Sequence, residues 1–449
     1  MNARGVIFAA PASGSGKTVL VAALLRLMSR RGSSVAAAKL GPDYIDPAFH
    51  AMASRAPCLN IDLWAMRRST VAALLDRLTR SAELVVVEGV MGLFDGAADG
   101  SGSTADFAAL SGWPVILVVD ARGQAASAGA LVRGFASHRP GVAIAGVVFN
   151  RVGGAAHGEM LRGAMAPLGI PVLGCLPRAE SFSLPARHLG LVQATEHQDL
   201  DRFLDAAAAS LEETLDVAAL LALARATTAG TAWSLDGSVL PATVPPLGQR
   251  IAVANDPAFA FAYPALLDAW RVAGAELRLF SPLADEAPHD DVDSIYLPGG
   301  YPELHAGRLA ANTSFLRGLR GAAERGATIF GECGGYMTLG AGLIDQAGVR
   351  HAMAGLLPLE SSFAERRLHL GYRQAKVISD GPLGTAGAAY RGHEFHYATI
   401  IDEGPGDALF DCQDARGQSL GTSGRSHSRV FGSFLHLIDR GGSAASPPH

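Results

Sequence analysis

The strongest constraint on the fold sits at the N-terminus. A short apolar run, Gly5–Ala10, leads into Pro11-Ala12-Ser13-Gly14-Ser15-Gly16-Lys17-Thr18, and the Ala/Leu-rich stretch Thr18–Arg30 follows. Strand, glycine-rich turn and helix in that order make a phosphate cradle. Gly14, Ser15 and Gly16 allow backbone N–H groups to point at phosphates, and the helix N-terminus adds its positive end. Lys17 reaches the β/γ-phosphates, and Thr18 can ligate Mg²⁺. The pattern GxxxxGK[ST] is met except at its first glycine, where Pro11 stands.

The rest of the first half keeps the same rhythm. Apolar runs Ser34–Leu40, Leu84–Glu88, Val115–Asp120 and Val142–Asn150 alternate with helical stretches such as Ser69–Arg80. Continuous apolar strands separated by helices indicate an α/β domain whose parallel sheet is covered on both faces. Open sheets of this kind place their sites at the C-terminal strand ends, which is where the polar motifs fall. Over Val217–Arg250 the pattern dissolves into Ala, Thr, Gly and Pro and reads as a linker. At Ile251 a second α/β unit begins, with strands IAVAND, ELRLF, SIYLPGG and TIFGE. The domain expectation is therefore 1–216, linker 217–249, second domain 250–440 and a disordered tail 441–449.

Composition sharpens the first site. Of 37 Lys and Arg residues, only Lys17, Lys39 and Lys376 are lysines. A lysine that persists in so arginine-rich a chain points to chemistry that a planar guanidinium cannot supply. Lys39 opens Lys39-Leu40-Gly41-Pro42-Asp43-Tyr44-Ile45-Asp46-Pro47, where two carboxylates three residues apart can bind Mg²⁺ or orient an acidic substrate. Lys39 can neutralise a substrate carboxylate or a phosphoryl group in transfer. Glu88 ends a buried strand, the usual place for a metal- or water-orienting acid beside a phosphate loop. Asn150 ends another, where its amide either reads an adenine edge or caps a turn. Lys376 has no assignable role.

A second chemistry appears at Gly331-Glu332-Cys333-Gly334-Gly335, the thiol form of the G-x-S-x-G nucleophile elbow. The glycines permit the strained turn, and a following helix N-terminus would lower the thiol pKa and supply oxyanion donors. Gly300, in Leu297-Pro298-Gly299-Gly300-Tyr301-Pro302-Glu303, and Gly334 are the candidate oxyanion positions. The base is expected downstream: His436 in RVFGSFLH, with His393 and His396 of RGHEFHY as runners-up. In the common glutaminase pattern a glutamate stands two positions after the histidine, and here that position is Ile438. A Cys333–His436 dyad is therefore the expectation. Cys58, Cys175 and Cys412 lack glycine flanks and read as structural. None of the four cysteines forms a CxxC pair, which fits a reducing, cytoplasmic setting.

Other classes are disfavoured. A net charge of −5 gives no broad basic field for a dedicated nucleic-acid binder. No apolar run reaches the roughly 18 residues of a membrane helix. With 49% hydrophobic and 18% charged residues, the chain has ample material for packed cores.

An ATP cradle and a glutaminase-like thiol in one chain suggest a glutamine-dependent amide-forming ligase. The segments KLGPDYIDPAFH, NIDLWAM, EGVMGLFDG, LPARHLGL, YLPGGYPE, GECGGYM and RGHEFHY resemble those of cobyrinic (or hydrogenobyrinic) acid a,c-diamide synthases, over almost all of residues 5–440. The sister family, cobyric acid synthases, reads roughly PFKxQNMS where this chain has KLGPDYIDP. The resemblance implies an N-terminal P-loop domain similar to dethiobiotin synthetase and a C-terminal domain similar to class I glutaminases. It implies that Mg-ATP phosphorylates the c and then the a acetate carboxylate of a corrin, and that ammonia from L-glutamine displaces the phosphate. It further implies Thr18, Asp43 and Glu88 at the metal, Asp46, Tyr44 and Ile45 near the substrate, and Arg187 and His188 as contacts to corrin carboxylates. A homodimer is left open. The competing expectation is a nucleotide-dependent switch or scaffold with an inactive glutaminase relic. ATPases of that kind carry an extra lysine early in the loop, where this chain has Ala12.

Overall fold

The computed structural model describes residues 3–179, 186–187, 190–228 and 240–442. These form two compact units, one of residues 3–64 and 71–228, the other of residues 65–70 and 240–442.

The first unit is built on a sheet of parallel strands β1 (Arg4–Ala9), β2 (Val35–Leu40), β3 (Cys58–Ile61), β4 (Leu84–Glu88), β5 (Val115–Asp120), β6 (Ile144–Val152) and β7 (Val172–Pro177), in the order β3-β2-β4-β1-β5-β6-β7. Every residue of β2 and β4 is buried, as strands covered on both faces must be. Helix α1 (Lys17–Arg30) follows β1 and helix α2 (Asp46–Ser54) follows β2. Because β4 lies between β2 and β1, the ends of all three strands meet at one place. Lys39 is the register partner of Glu88, and Glu88 of Phe8. A short antiparallel pair, β8 (Ala186–Arg187) with β9 (Gly190–Leu191), is also present.

The linker expectation is corrected at its start. Val217–Leu223 is helical, N-capped by the Asp216 side chain accepting from Ala219 N. Strand β10 (Arg225–Ala226) then pairs antiparallel with the start of β1. Residues 229–239 of the expected linker, His188, and residues 443–449 of the expected tail lie outside the described residues.

The second unit contains β11 (Arg250–Ala254), β12 (Glu276–Phe280), β13 (Ser294–Leu297), β14 (Thr328–Glu332), β15 (Gly342–Ile344), β16 (Arg350–Ala352), β17 (Leu359–Ser362), β18 (His369–Val377), β19 (Ala389–His396), β20 (Thr399–Glu403), β21 (Asp407–Asp414), β22 (Ser419–His427), β23 (Val430–Ser433) and β24 (Leu435–Arg440). Ten of these form one sheet, β12-β11-β13-β14-β23-β22-β21-β18-β19-β24, and β16-β15-β17-β20 form a smaller one. The half up to β23 is parallel, and the half beyond it antiparallel. Helix α3 (Gly334–Leu339) follows β14 directly. Its Tyr336 and Leu339 pack with Phe259, Ile295, Leu297 and Ile329 in the unit's core. Residues 65–70 belong here through Asp439: its buried carboxylate accepts from Thr70 Oγ1 at 2.6 Å and Arg67 Nε at 2.9 Å. Among the described residues no helix is long and apolar enough to cross a membrane.

Candidate functional site

The phosphate loop takes the shape its glycines allow. Gly14 and Gly16 sit at φ 76° and 89°, a left-handed region where side chains are strained. A Cβ on Gly16 would also run into Asn150 Nδ2. Asn150 is buried and its amide is engaged by the protein. Nδ2 donates to Ser15 O at 2.9 Å, and Oδ1 accepts from Arg151 N at 2.9 Å. In this structure the Asn150 amide braces the phosphate loop, a contact other than the adenine edge or the turn cap expected of it. Arg151, which sequence reasoning missed, donates through Nη1 to Gly14 O at 2.8 Å and to Asp120 Oδ2 at 2.6 Å. Lys17 is buried and Nζ donates to Met91 O at 2.7 Å, while desolvation lowers its pKa.

The acids expected around the loop converge. Thr18 Oγ1 lies 3.0 Å from Asp46 Oδ2 and 2.9 Å from Glu88 Oε1. Lys39 Nζ lies 2.5 Å from Asp46 Oδ2, 2.9 Å from Glu88 Oε1 and 3.4 Å from Asp43 Oδ2. Burial alone would drive the Lys39 proton off, but Asp46, Glu88 and Asp43 together hold its pKa well above the usual lysine range. Burial and then the neighbouring Asp43 charge raise Asp46 to about 7. Burial would raise Glu88 too, yet Lys39 and the hydrogen bond from His50 hold it below the usual carboxylate range. Asp43 Oδ1 accepts from Ile45 N at 2.9 Å and Asp46 N at 3.0 Å, which turns the chain into α2.

His50 was not anticipated. It is fully buried, with Nε2 2.5 Å from Glu88 Oε2, and it stands one helical turn after Asp46 on α2. That i, i+4 spacing was the available signal. Tyr44 is half-buried, whereas Ile45, expected near the substrate, is buried. Arg187 lies in β8.

The fit of this site to a divalent cation follows from its donors. A hydroxyl and three carboxylates are hard oxygen ligands. Counted formally, Asp43, Asp46 and Glu88 outweigh Lys17 and Lys39 by one negative charge. Thr18 Oγ1 faces Asp46 and Glu88 together, so a cation held between the hydroxyl and the acids would meet all three oxygens.

The thiol site is assembled from three segments of the second unit. Cys333 stands between β14 and α3 at φ 49° and ψ −103°, the strained geometry of an elbow. Close approach explains the glycines: a Cβ on Gly335 would strike Leu297 O, and one on Gly331 would lie 2.7 Å from Gly335 C. Cys333 N donates to Ser433 O at 2.8 Å, which ties the elbow to β23. His436, on β24, comes to the same place. The ideal Cβ position of Gly299 lies 3.2 Å from His436 Nε2 and 3.3 Å from Cys333 Cβ. Gly300 also reaches the elbow, since its N lies 3.0 Å from the ideal Cβ of Gly334. Cys333, His436, Gly300 and Gly334 thus lie close together around the elbow.

One expectation about the thiol is corrected. Burial, with the Glu303 charge, pushes Cys333 well up, and the hydrogen bond from Gly334 N only partly offsets this. The sulfur is held as a thiol, so a base must take its proton. His436 suits that role, because burial and the neighbouring His393 and His396 hold its pKa well below the usual imidazole value. No carboxylate stands at Ile438. Instead the His393 ring stacks on His436, centroids 4.8 Å apart and 5° from parallel. His393 and His436 are register partners on β19 and β24. Glu332, buried beside the thiol, accepts from Tyr296 OH at 2.5 Å and Leu437 N at 2.9 Å, and burial raises it to about 7. Cys58, Cys175 and Cys412 are free, and burial raises all three.

A phosphate cradle with an acid cluster, joined in one chain to a buried cysteine elbow with its histidine, defines a nucleotide-binding glutamine amidotransferase. Residues 6–192 match the CobQ/CobB/MinD/ParA nucleotide binding domain, and residues 250–442 the CobB/CobQ-like glutamine amidotransferase domain. The hydrogenobyrinate a,c-diamide synthase of Brucella abortus biovar 1 (strain 9-941) is 54% identical over 451 residues, 98% of this chain and 100% of the relative. That of Sinorhizobium sp is 52% identical over 444 residues, 98% and 100%. That of Agrobacterium fabrum (strain C58 / ATCC 33970) is 48% identical over 445 residues, with the same coverage. The chain belongs to the hydrogenobyrinate a,c-diamide synthase family and is an enzyme of the glutamine-hydrolysing ligase class. These relatives lend no support to the switch or scaffold alternative.

Proposed function

We propose that this chain amidates the a and c acetate carboxylates of hydrogenobyrinate, with ATP as phosphoryl donor and glutamine as nitrogen donor. The relatives, named for hydrogenobyrinate, favour the cobalt-free corrin over cobyrinic acid. The single observation that carries the reading is the pairing of two chemistries: the Lys17–Thr18–Lys39–Glu88 cluster and the Cys333–His436 elbow.

A carboxylate is a poor acyl donor until one oxygen becomes phosphate. In the first unit the substrate carboxylate oxygen attacks the γ-phosphorus, the bond to the β-phosphate oxygen breaks, and ADP leaves. Lys17 holds the β/γ-phosphates, and the buried Lys39 ammonium offsets charge on the carboxylate and the phosphoryl group. Thr18, Asp43 and Glu88 would hold Mg²⁺, which when bound neutralises phosphate charge. Asp46, next to Lys39, orients that ammonium, and Tyr44 lies beside the substrate. In the second unit Cys333 gives its proton to His436 and attacks the glutamine amide carbon, with the oxyanion facing the N–H groups of Gly300 and Gly334. The C–N bond breaks, His436 returns the proton to the leaving ammonia, and water hydrolyses the thioester to glutamate. Ammonia attacks the acyl phosphate carbon and phosphate leaves. The scattered free cysteines support a cytoplasmic setting.

Cys333→Ala tests the scheme: glutamine-dependent amidation of hydrogenobyrinate is lost, and ammonium chloride restores ATP-dependent amidation. Failure with free ammonia as well overturns the two-site reading.

A further inference from the structure

Next to the elbow, β18 and β19 bring two imidazoles and a carboxylate together. His369 and His396 are register partners, and their rings stack 7° from parallel with centroids 4.7 Å apart. Glu394, two residues before His396, faces the same side of the strand. One ligand atom of each residue lies within 4.8 Å of the other two.

We propose that His369, Glu394 and His396 form a binding site for a divalent transition-metal ion of the zinc type, with one coordination position open to solvent. Two imidazoles and one carboxylate are the donor set zinc takes where it keeps a water ligand. The hydrogen-bond inventory of His396 points the same way. Its Nδ1 lies 3.1 Å from Ala398 O and its Nε2 2.9 Å from Glu394 Oε1. Both neighbours are acceptors, and a neutral imidazole has one N–H. With Nδ1–H given to the carbonyl, the Nε2 lone pair faces a carboxylate oxygen. A cation at that point resolves the conflict and makes Ala398 O the outer-shell acceptor that fixes the tautomer of a metal-bound histidine.

Glu394 is likewise supported from behind. Arg373 donates to Oε2 through Nε at 2.9 Å and Nη2 at 2.8 Å, leaving Oε1 toward the histidines. Zn–ligand bonds of about 2.0–2.1 Å give tetrahedral edges of about 3.3 Å. The Nε2 to Oε1 separation is within a few tenths of that, and the His369 ligand atom lies within 4.8 Å of both. His396 is buried while His369 is half-buried, so the ion enters from the His369 side.

The test uses the untagged full chain carrying Cys333→Ala, so that the thiol cannot bind metal, after dialysis against a chelator. Titration with Zn²⁺ by calorimetry, and with Co²⁺ by visible absorption, in saturating Mg²⁺ to occupy the acid cluster of the first unit, is expected to show one further ion per chain. His369→Ala and His369→Gln in the same background are expected to weaken binding at least about 100-fold, no less than loss of an outer-shell partner does. Their melting curves are expected to match the parent, since His369 is half-buried. Absence of binding overturns the site, as does an affinity unchanged by both variants.

Discussion

Gly299→Ala places one methyl between the proposed nucleophile and its base. The new carbon would fall against His436 Cε1, 3.2 Å from Nε2 and 3.3 Å from Cys333 Cβ. Carbon pairs are comfortable at about 3.5–4.0 Å, so the imidazole must retreat by about 1 Å. It has little room to do so, being 1% exposed and stacked on the equally buried His393. Gly299 is not at positive φ, so the methyl itself is the whole perturbation. Overpacking of this kind costs about 1–3 kcal/mol of stability, while a misplacement of about 1 Å between reacting groups costs about 100-fold in rate. The assay is glutamate release from glutamine, run beside ammonia-dependent amidation and a thermal melt. The expected result is a loss of about 100-fold in glutaminase kcat with ammonia-dependent turnover retained. A folded variant whose glutaminase rate stays within about threefold of wild type would refute the argued closeness of His436 to Cys333.

Lys17→Arg is expected to remove ATP-dependent turnover by at least about 100-fold, because a planar fork cannot replace a compact charge in a buried cradle; near-normal steady-state rates contradict that. Lys39→Met leaves three carboxylates without their shared ammonium and is expected to cost roughly 3–5 kcal/mol, read from denaturant unfolding, with a loss below about 1 kcal/mol counting against the cluster. The His436 pKa is depressed, so the base stays neutral through and below pH 6.5 and protonates only further down. Glutaminase kcat is therefore expected to hold as pH falls from 8 to 6, and His393→Gln, which removes a neighbouring imidazole, to move the acid limb upward. An acid limb at or above 6.5 in the wild type would exclude His436 as described.

The local devices were legible in the chain itself. The loop Gly14–Thr18, the strand-ending Glu88, the Asp43–Asp46 pair and the Cys333 elbow are each written within a few consecutive residues. Their backbone demands (small residues, positive φ, a helix start) are met by neighbours in sequence. Lysine scarcity marked the first site independently, and Lys17 and Lys39 both proved buried among its acids. Arrangements that depend on register between distant strands were not legible. No spacing rule leads from Cys333 to His436, which reaches the elbow because β24 pairs with β19 rather than continuing beside β23. The same pairing stacks His393 on His436 where a glutamate was sought at position 438. The His369–Glu394–His396 group likewise exists only through the β18–β19 register. Burial, too, was decided in three dimensions. It turned the expected activated thiol into one held protonated, enclosed Ile45, and set Asn150 against the phosphate loop. Sequence alone determined which chemical groups the chain carries and the turns that present them. Tertiary structure decided which groups meet and in what dielectric, because both depend on contacts between residues far apart in the chain.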